Sequence, residues 1–171
     1  MRKDGERETR NEKRDDSYSS FLVLLPSLSS TQAFAQRIAP HLRQGDVVAL
    51  QGDLGTGKTA FARALLYALG VTDDVPSPTF TLLQSYDVNG VLISHFDLYR
   101  LKSPDELDEL GWEDALADGI ALVEWPERAV GRLPTDSLVL RFALDEKGER
   151  SCVVEAQGKW QEIMHIGCSQ E

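Results

Sequence analysis

The strongest chemical signal in the sequence is a run of eight residues that fits the phosphate-binding pattern G-x-x-x-x-G-K-[ST] at every position: Gly52, Asp53, Leu54, Gly55, Thr56, Gly57, Lys58 and Thr59. Glycines let the backbone turn tightly and bring its N–H groups close to anionic oxygens, where a Cβ would collide. In such loops the lysine contacts the β- and γ-phosphates, and the Ser or Thr hydroxyl ligates Mg²⁺. The run therefore predicts a site for a nucleotide triphosphate.

The residues on either side of this run favour the same interpretation. Residues 46–51 are typical of a strand, and residues 58–69 predict a helix that ends at Gly70. The pattern requires this order of strand, loop and helix, because the helix N-terminus then points at the phosphates. Ala60, in the first turn, belongs to the predicted nucleotide-binding set. The alternative is a glycine-rich turn that binds nothing.

Two carboxylates that follow predicted strands are candidate Mg²⁺ ligands. Asp97 comes after residues 91–96, and Glu124 comes after residues 120–123. Magnesium in nucleotide sites is commonly held by one or two carboxylates, together with the phosphates. Glu124 is the better candidate, because the stretch before it is purely apolar. For each residue the alternative is a solvated or helix-capping carboxylate.

A loop before the next strand contains Ser77, Pro78, Thr79 and Phe80. In switch-type nucleotide proteins a hydroxyl from such a loop senses the γ-phosphate and Mg²⁺. A proline-containing turn with no such role is the alternative. Residues 87–90 superficially fit the D-x-x-G pattern of GTPases, but they coincide with a hairpin signal, and the sequence has no N-K-x-D segment. We therefore do not expect guanine specificity.

Other conspicuous side chains favour structural roles. His95 is interpreted as a hydrogen-bonded core histidine, and Trp112 and Trp125 as packing residues. Cys152 and Cys168 have neither a C-x-x-C spacing nor a histidine at metal-ligand spacing. We therefore expect two reduced thiols in a cytosolic protein.

Composition limits the classes of function. A chain of 171 residues suits one domain. The sequence contains neither an apolar run long enough to span a membrane nor an N-terminal secretory signal, so we expect a cytoplasmic protein with no membrane partner. Residues 1–16 hold six basic and six acidic side chains, so the net charge of −10 lies in the remaining residues. An acidic body is a poor platform for RNA, since nucleic-acid binding depends on neutralising phosphates.

Periodicity and turn signals divide the chain into an extension and one domain. Residues 1–20 are almost all charged or small and polar, which predicts a disordered extension, and residues 21–171 form the predicted domain. The first helix begins at Ser29, Ser30 or Thr31 and is kinked or ended by Pro40. Further predicted strands are 21–25, 79–88, 91–96, 120–124, 138–144 and 152–156, and further short helices are 104–110, 112–117 and 160–166. This order predicts a three-layer α/β domain of the P-loop NTPase type with a mixed central sheet.

Four segments, in this order and spacing, resemble the TsaE (YjeE) family of bacterial P-loop ATPases: residues 52–59, 77–81, 95–101 and 122–126. Their sequences are GDLGTGKT, SPTFT, HFDLYRL and LVEWP. The resemblance covers roughly residues 21–160. Thr56 stands where Ala is usual in the family, a difference that a loop position should tolerate.

The resemblance implies an ATPase of the tRNA threonylcarbamoyladenosine pathway that works with the TsaB–TsaD pair. That pair installs a threonylcarbamoyl group on the adenosine 3′ of the anticodon, so tRNA would be contacted only through the partners. The implied catalytic residues are Lys58, Thr79, Asp97 and Glu124, and the implied Mg²⁺ ligands are Thr59, Glu124 and Asp97. Further implied nucleotide contacts are Thr31, in the first helix, and Glu149 and Arg150, in the late hairpin that borders the adenine.

Two other functions are left open by the residues themselves. A small-molecule kinase would need an arginine-rich lid, whereas Arg100, Arg128 and Arg132 are scattered. A nucleotide-gated scaffold would act by binding without hydrolysis. The ATPase interpretation predicts slow hydrolysis by the isolated chain, because extra cations often complete the charge of the transition state. Residues 104–116 are a candidate partner surface, or alternatively a helical stripe of the core.

Overall fold

The computed structural model describes residues 19–163, in which seven strands form one sheet. The strands are β1 (Ser19–Leu24), β2 (Val47–Gln51), β3 (Leu83–Val88), β4 (Val91–Asp97), β5 (Gly119–Glu124), β6 (Leu138–Leu144) and β7 (Arg150–Ala156). The α-helices are α1 (Leu28–Ile38), α2 (Lys58–Leu69), α3 (Glu106–Glu109) and α4 (Trp112–Asp118). In these residues no helix is long and apolar enough to cross a membrane.

The strand order is β1-β7-β6-β2-β5-β4-β3, so the strand before the phosphate-binding loop lies in the middle of the sheet. It pairs in parallel with β5 on one side and β6 on the other, and β4 continues the parallel section beside β5. Antiparallel pairs complete both edges. The mixed sheet predicted from the sequence is thereby confirmed, with the carboxyl ends of β2, β4 and β5 at one edge.

Side chains on the two faces of the sheet enter two separate apolar cores. Val48 and Leu50 of β2 pack with α1 and α2, whereas Val47 packs with α3 and α4 on the opposite face. Successive residues of a strand point to opposite faces, so a buried strand supplies both cores. This arrangement gives the predicted three layers. Leu107 and Trp112 are buried in the second core, so these two residues of the candidate partner surface belong to the core.

The first helix begins earlier than the sequence predicts. Ser27, not Ser29, Ser30 or Thr31, is the N-cap, and its hydroxyl accepts from the backbone N–H of Ser30. The Ser30 hydroxyl accepts in turn from the backbone N–H of Ser27, which completes a capping box. The helix ends at Ile38 and a 3₁₀ turn follows (Ala39–His41), confirming the early end predicted from Pro40.

Several strand boundaries also differ from their predictions. β1 starts at Ser19, so Ser19 and Ser20 belong to the sheet rather than to the extension, and β7 starts at Arg150. Residues 79–82 form a turn, and β3 begins only at Leu83. The Asn89-Gly90 turn is confirmed, with both residues at positive φ. The final predicted helix is a 3₁₀ helix (Gly158–Ile163), and the rest of that prediction lies outside the described residues.

Candidate nucleotide site

The loop between β2 and α2 has the backbone shape that its glycines allow. Gly52 has φ 134°, and a Cβ there would lie 2.3 Å from the carbonyl oxygen of Phe142. Gly57, at φ 107°, precedes the first residue of α2. Thr56 closes the turn, because its hydroxyl donates to the carbonyl oxygen of Asp53 at 2.8 Å. The helix N-terminus, with its unpaired N–H groups, therefore opens directly onto this loop.

Lys58 lies folded back onto the loop that carries it. Its Nζ donates to the carbonyl oxygens of Gly52 at 2.6 Å and Asp53 at 2.9 Å, and it lies 3.9 Å from the centroid of the Trp125 ring. Burial lowers the pKa of the lysine, and the charge of Glu124 is the strongest of the effects that oppose this. A buried cation whose partners are carbonyls and an aromatic face is available to a stronger anionic ligand.

Glu124, at the carboxyl end of β5, is hydrogen-bonded to residues of both helix α2 and strand β4. The Thr59 hydroxyl donates to its Oε2 at 2.7 Å, and Nε2 of His95 lies 2.9 Å from its Oε1. Glu124 is only 1% exposed. The sequence interpretation of His95 as a hydrogen-bonded core residue is confirmed, and its partner is one of the two candidate metal ligands.

Asp97, at the end of β4, lies directly beside Glu124 in the parallel register. Its Oδ2 accepts from the Thr79 hydroxyl at 2.6 Å, and its Oδ1 accepts from the backbone N–H of Tyr99 at 3.1 Å. Thr79 is in turn 2.8 Å from the hydroxyl of Ser77. The loop that the sequence singled out for its hydroxyls therefore contacts the second carboxylate.

These groups surround a cleft of about 370 Å³. It is lined by Leu54, Gly55, Gly57, Lys58, Thr59, Ala60, Thr79, Asp97, Tyr99, Glu124, Trp125 and Arg150. The hydroxyl and carboxylate oxygens of Thr59, Thr79, Asp97 and Glu124 are hard donors of the kind that Mg²⁺ prefers. The donor set therefore fits a magnesium ion bound together with a phosphate.

Three other residues were expected to contact the nucleotide, and they differ in whether they reach this cleft. Arg150 reaches it by packing across the loop, since a Cβ on Gly57 would be 2.7 Å from its Nε. Thr31 does not line the cleft, and its hydroxyl donates to the carbonyl oxygen of Ser27 in the first turn of α1. Glu149 lies in the β6–β7 turn, where its backbone N–H donates to Asp145. Of these three residues, the structure brings Arg150 to the cleft.

Two aromatic residues at the cleft were not assigned to it by sequence reasoning. Trp125, interpreted as a packing residue, lines the cleft at φ 58°, a left-handed conformation that is uncommon outside glycine. The Tyr99 ring packs against it with centroids 4.9 Å apart. Trp125 directly follows Glu124 at a strand end, and that position was the available signal. Side chains beyond the carboxyl ends of strands face the ligand crevice of α/β sheets.

Comparison with known proteins agrees with this geometry. The family described as threonylcarbamoyl adenosine biosynthesis protein TsaE matches residues 25–152. The tRNA threonylcarbamoyladenosine biosynthesis protein TsaE of Rickettsia bellii is 42% identical over 131 residues, which cover 76% of this chain and 91% of that protein. The TsaE protein of Bacillus subtilis is 35% identical over 135 residues, covering 78% and 84% of the two chains.

A solved structure extends the similarity to three dimensions. The crystal structure of Bacillus subtilis YdiB superimposes with a TM-score of 0.73 at 28% sequence identity, covering 88% of this chain and 95% of that one. The residues that the TsaE family model matches, 25–152, include the phosphate-binding loop and both strand-end carboxylates. This chain belongs to the TsaE family of tRNA threonylcarbamoyladenosine biosynthesis proteins.

Proposed function

We propose that this protein binds ATP with Mg²⁺ in the cleft and hydrolyses it, and that this cycle supports threonylcarbamoylation of tRNA by a TsaB–TsaD complex. The observation that carries the proposal is the convergence of Lys58, Thr59, Asp97 and Glu124 on one cleft at the N-terminus of α2. One cation, one hydroxyl and two adjacent carboxylates are the groups that phosphoryl transfer needs beside a phosphate-binding loop.

In this proposal each residue has a role that follows from its present contacts. Lys58 exchanges the carbonyl oxygens of Gly52 and Asp53 for phosphate oxygens, which are stronger acceptors because they are charged. The glycine-rich backbone supplies N–H groups to the same phosphates. Thr79, which also lines the cleft, orients the attacking water or the metal.

Thr59 and Glu124 would hold the magnesium ion, with Asp97 beside them. The ion would supply neutralisation of the phosphate charge there. The hydrogen bond from Thr59 to Glu124 keeps the two oxygens together before any ligand arrives. Glu124 is almost completely buried, and the exclusion of water from its carboxylate strengthens its charge interactions.

The same features predict slow turnover by the isolated chain. Arg150 lines the cleft and packs against Gly57. It lies in the late hairpin that the family resemblance places beside the adenine, so it is not assigned to the terminal phosphate. In this proposal the surface of the TsaB–TsaD pair supplies the missing stabilisation of the transition state. The acidic body fits this division of labour, because the partners would contact the tRNA.

Replacement of Lys58 tests the proposed chemistry. Lys58→Ala should bind ATP weakly and lose hydrolysis by at least about 100-fold, roughly 2.7 kcal/mol of transition-state stabilisation. The matched control is Lys102→Ala, which removes the same charge from an exposed loop outside the cleft and should retain activity. Calorimetry of ATP binding with Mg²⁺ and a phosphate-release assay measure both. An active Lys58→Ala protein would contradict the proposed site.

A reconstituted reaction tests the pathway. Addition of TsaB and TsaD should raise the ATPase rate, and a non-hydrolysable ATP analogue should not sustain repeated rounds of tRNA modification. Detection of free phosphate rather than a phosphorylated small molecule distinguishes hydrolysis from kinase activity. A rate that the partners leave unchanged would refute the proposed dependence on them.

A further inference from the structure

The side chain of His95 is completely buried beside the candidate site. Its exposed fraction is 0%, and it lies on β4 between Ile93 and Asp97, which occupy alternate positions and therefore share its face of the sheet. Ile93 belongs to the apolar core beneath α1 and α2. The imidazole thus extends from that core toward the carboxylate of Glu124.

The hydrogen bonds of this imidazole are unusually one-sided. Nε2 lies 2.9 Å from Glu124 Oε1, whereas Nδ1 is buried and has no hydrogen-bond partner among residues 19–163. An unpaired buried polar atom costs about 1–3 kcal/mol. An apolar residue would therefore pack at this position at lower cost than a histidine, so packing alone does not account for His95. The contact with Glu124 is therefore the feature of His95 that demands an explanation.

Glu124 is bound at each of its oxygens from a different element. Thr59, on α2, donates to Oε2, and His95, on β4, faces Oε1. Two bonds on separate oxygens fix both the position and the rotation of a carboxylate, which a single bond does not. Residues behind a metal ligand commonly orient it in this manner, and their loss typically costs about 10–100-fold in metal affinity or activity.

We propose that His95 is a positioning residue, which donates from Nε2 to Glu124 and holds that carboxylate in the orientation needed for Mg²⁺ and ATP. This inference rests on the proposed function of the cleft. In this arrangement Nε2 carries the proton and Nδ1 does not. His95 contacts neither nucleotide nor metal, and acts only through Glu124.

Two amide replacements separate this role from simple packing. In His95→Gln the amide nitrogen reaches approximately the place of Nε2, so the donor to Glu124 is retained. In His95→Asn it reaches approximately the place of Nδ1, so a similar amide is present but the donor is lost. We expect the Asn variant to lose about 10–100-fold in kcat and to need more Mg²⁺. The Gln variant should recover most of both.

A second readout does not depend on catalysis. Affinity for ATP without Mg²⁺ should change less than about threefold in either variant, since phosphate contacts by Lys58 and the loop do not involve His95. In the wild-type protein, long-range ¹H–¹⁵N spectra should show the tautomer protonated at Nε2. This measurement remains decisive even if a variant folds poorly, because the opposite tautomer would overturn the inference.

The outcomes distinguish the two proposals. If the wild-type protein binds no ATP, the proposed function itself fails. If the wild-type protein hydrolyses ATP but the Asn and Gln variants are equally impaired or equally active, His95 has no positioning role. Selective rescue by Gln, with unchanged metal-free ATP affinity and the Nε2–H tautomer, supports the inference.

Discussion

Glu124 and Asp97 lie side by side in the same register position of two parallel strands, yet they are attached to different parts of the molecule. Both are buried, at 1% and 3% exposure. Glu124 is bound by helix α2 and strand β4, through Thr59 and His95. Asp97 is bound by Thr79, from a segment without regular structure, and by a backbone N–H two residues along its own chain.

This difference in attachment suits the two neighbouring carboxylates to different purposes. Elements packed in the core hold Glu124, which suits a fixed metal ligand. The segment that reaches Asp97 extends over residues 71–82 and contains no helix or strand. Beside Thr79, Phe80 is 81% exposed and stacks with Arg100 at 4.4 Å. We therefore expect Asp97 to transmit the state of the nucleotide to this surface loop.

The largest effect should come from the rigidly held carboxylate. Glu124→Gln keeps the shape but removes the charge, so ATP hydrolysis should fall by at least about 100-fold, or roughly 2.7 kcal/mol. Initial rates across a range of Mg²⁺ concentrations measure it. Glu109→Gln, the same change on the exposed side of α3, is the control. If Asp97→Asn removes the Mg²⁺ dependence and Glu124→Gln does not, the two carboxylates have been ranked in the wrong order.

Asp97→Asn should have a smaller effect on rate and a larger effect on the loop. Asp97 accepts one hydrogen bond on each oxygen, whereas Asn has one acceptor oxygen and an NH2 group that only donates, so the Thr79 hydroxyl and the Tyr99 N–H can no longer both donate to residue 97. We expect about a tenfold loss of hydrolysis and about 1–3 kcal/mol of stability. Chemical denaturation and limited proteolysis within residues 71–82 measure the second effect. A variant with unchanged stability and an intact loop would remove the proposed link.

Sequence reasoning located the parts of this site that depend on local signals. The helix from Lys58 to Leu69 and its glycine cap are predicted to the residue, because the loop pattern, the apolar spacing and Gly70 all lie within a short stretch. The Asn89-Gly90 turn is equally local. Both carboxylates were found because each one directly follows a predicted strand, and ligands of α/β sheets bind beyond the carboxyl ends of the strands.

Features that depend on the pairing of distant segments were not predicted. His95 and Glu124 are 29 residues apart, and their contact requires the register of β4 against β5. Arg150 was expected near the nucleotide from the family resemblance alone, and it reaches Gly57 because β6 lies between β2 and β7 in the sheet, an order that no local pattern encodes. The N-cap at Ser27 was missed because four Ser and Thr residues close together offer similar caps.

The contact between Thr79 and Asp97 can be weakened without a change of charge. Thr79→Val replaces the hydroxyl by a methyl group, leaving Asp97 Oδ2 without its donor, whereas Thr79→Ser retains a hydroxyl. We expect the Val variant to lose about 1 kcal/mol in the free energy of unfolding and the Ser variant to lose less. Thr81→Val is the control in the same loop, because its hydroxyl makes only a 3.5 Å contact. Equal losses in all three variants would mean that the Asp97 contact contributes nothing specific.

A smaller effect is expected on the pKa of Lys58, to which the charges of both carboxylates contribute. Burial lowers the pKa of Lys58, and nearby negative charges oppose this, with Glu124 the strongest, followed by Glu127 and then Asp97. Neutralising a carboxylate removes a charge that favours the ammonium form, so each Glu→Gln or Asp→Asn variant should lower that pKa further. The decrease should be largest for Glu124→Gln, intermediate for Glu127→Gln and smallest for Asp97→Asn, as measured by NMR titration of the Lys58 Cε resonance in the nucleotide-free protein. A larger decrease in Asp97→Asn than in Glu124→Gln would show that the lysine is coupled mainly to the loop-bound carboxylate, which reverses the comparison.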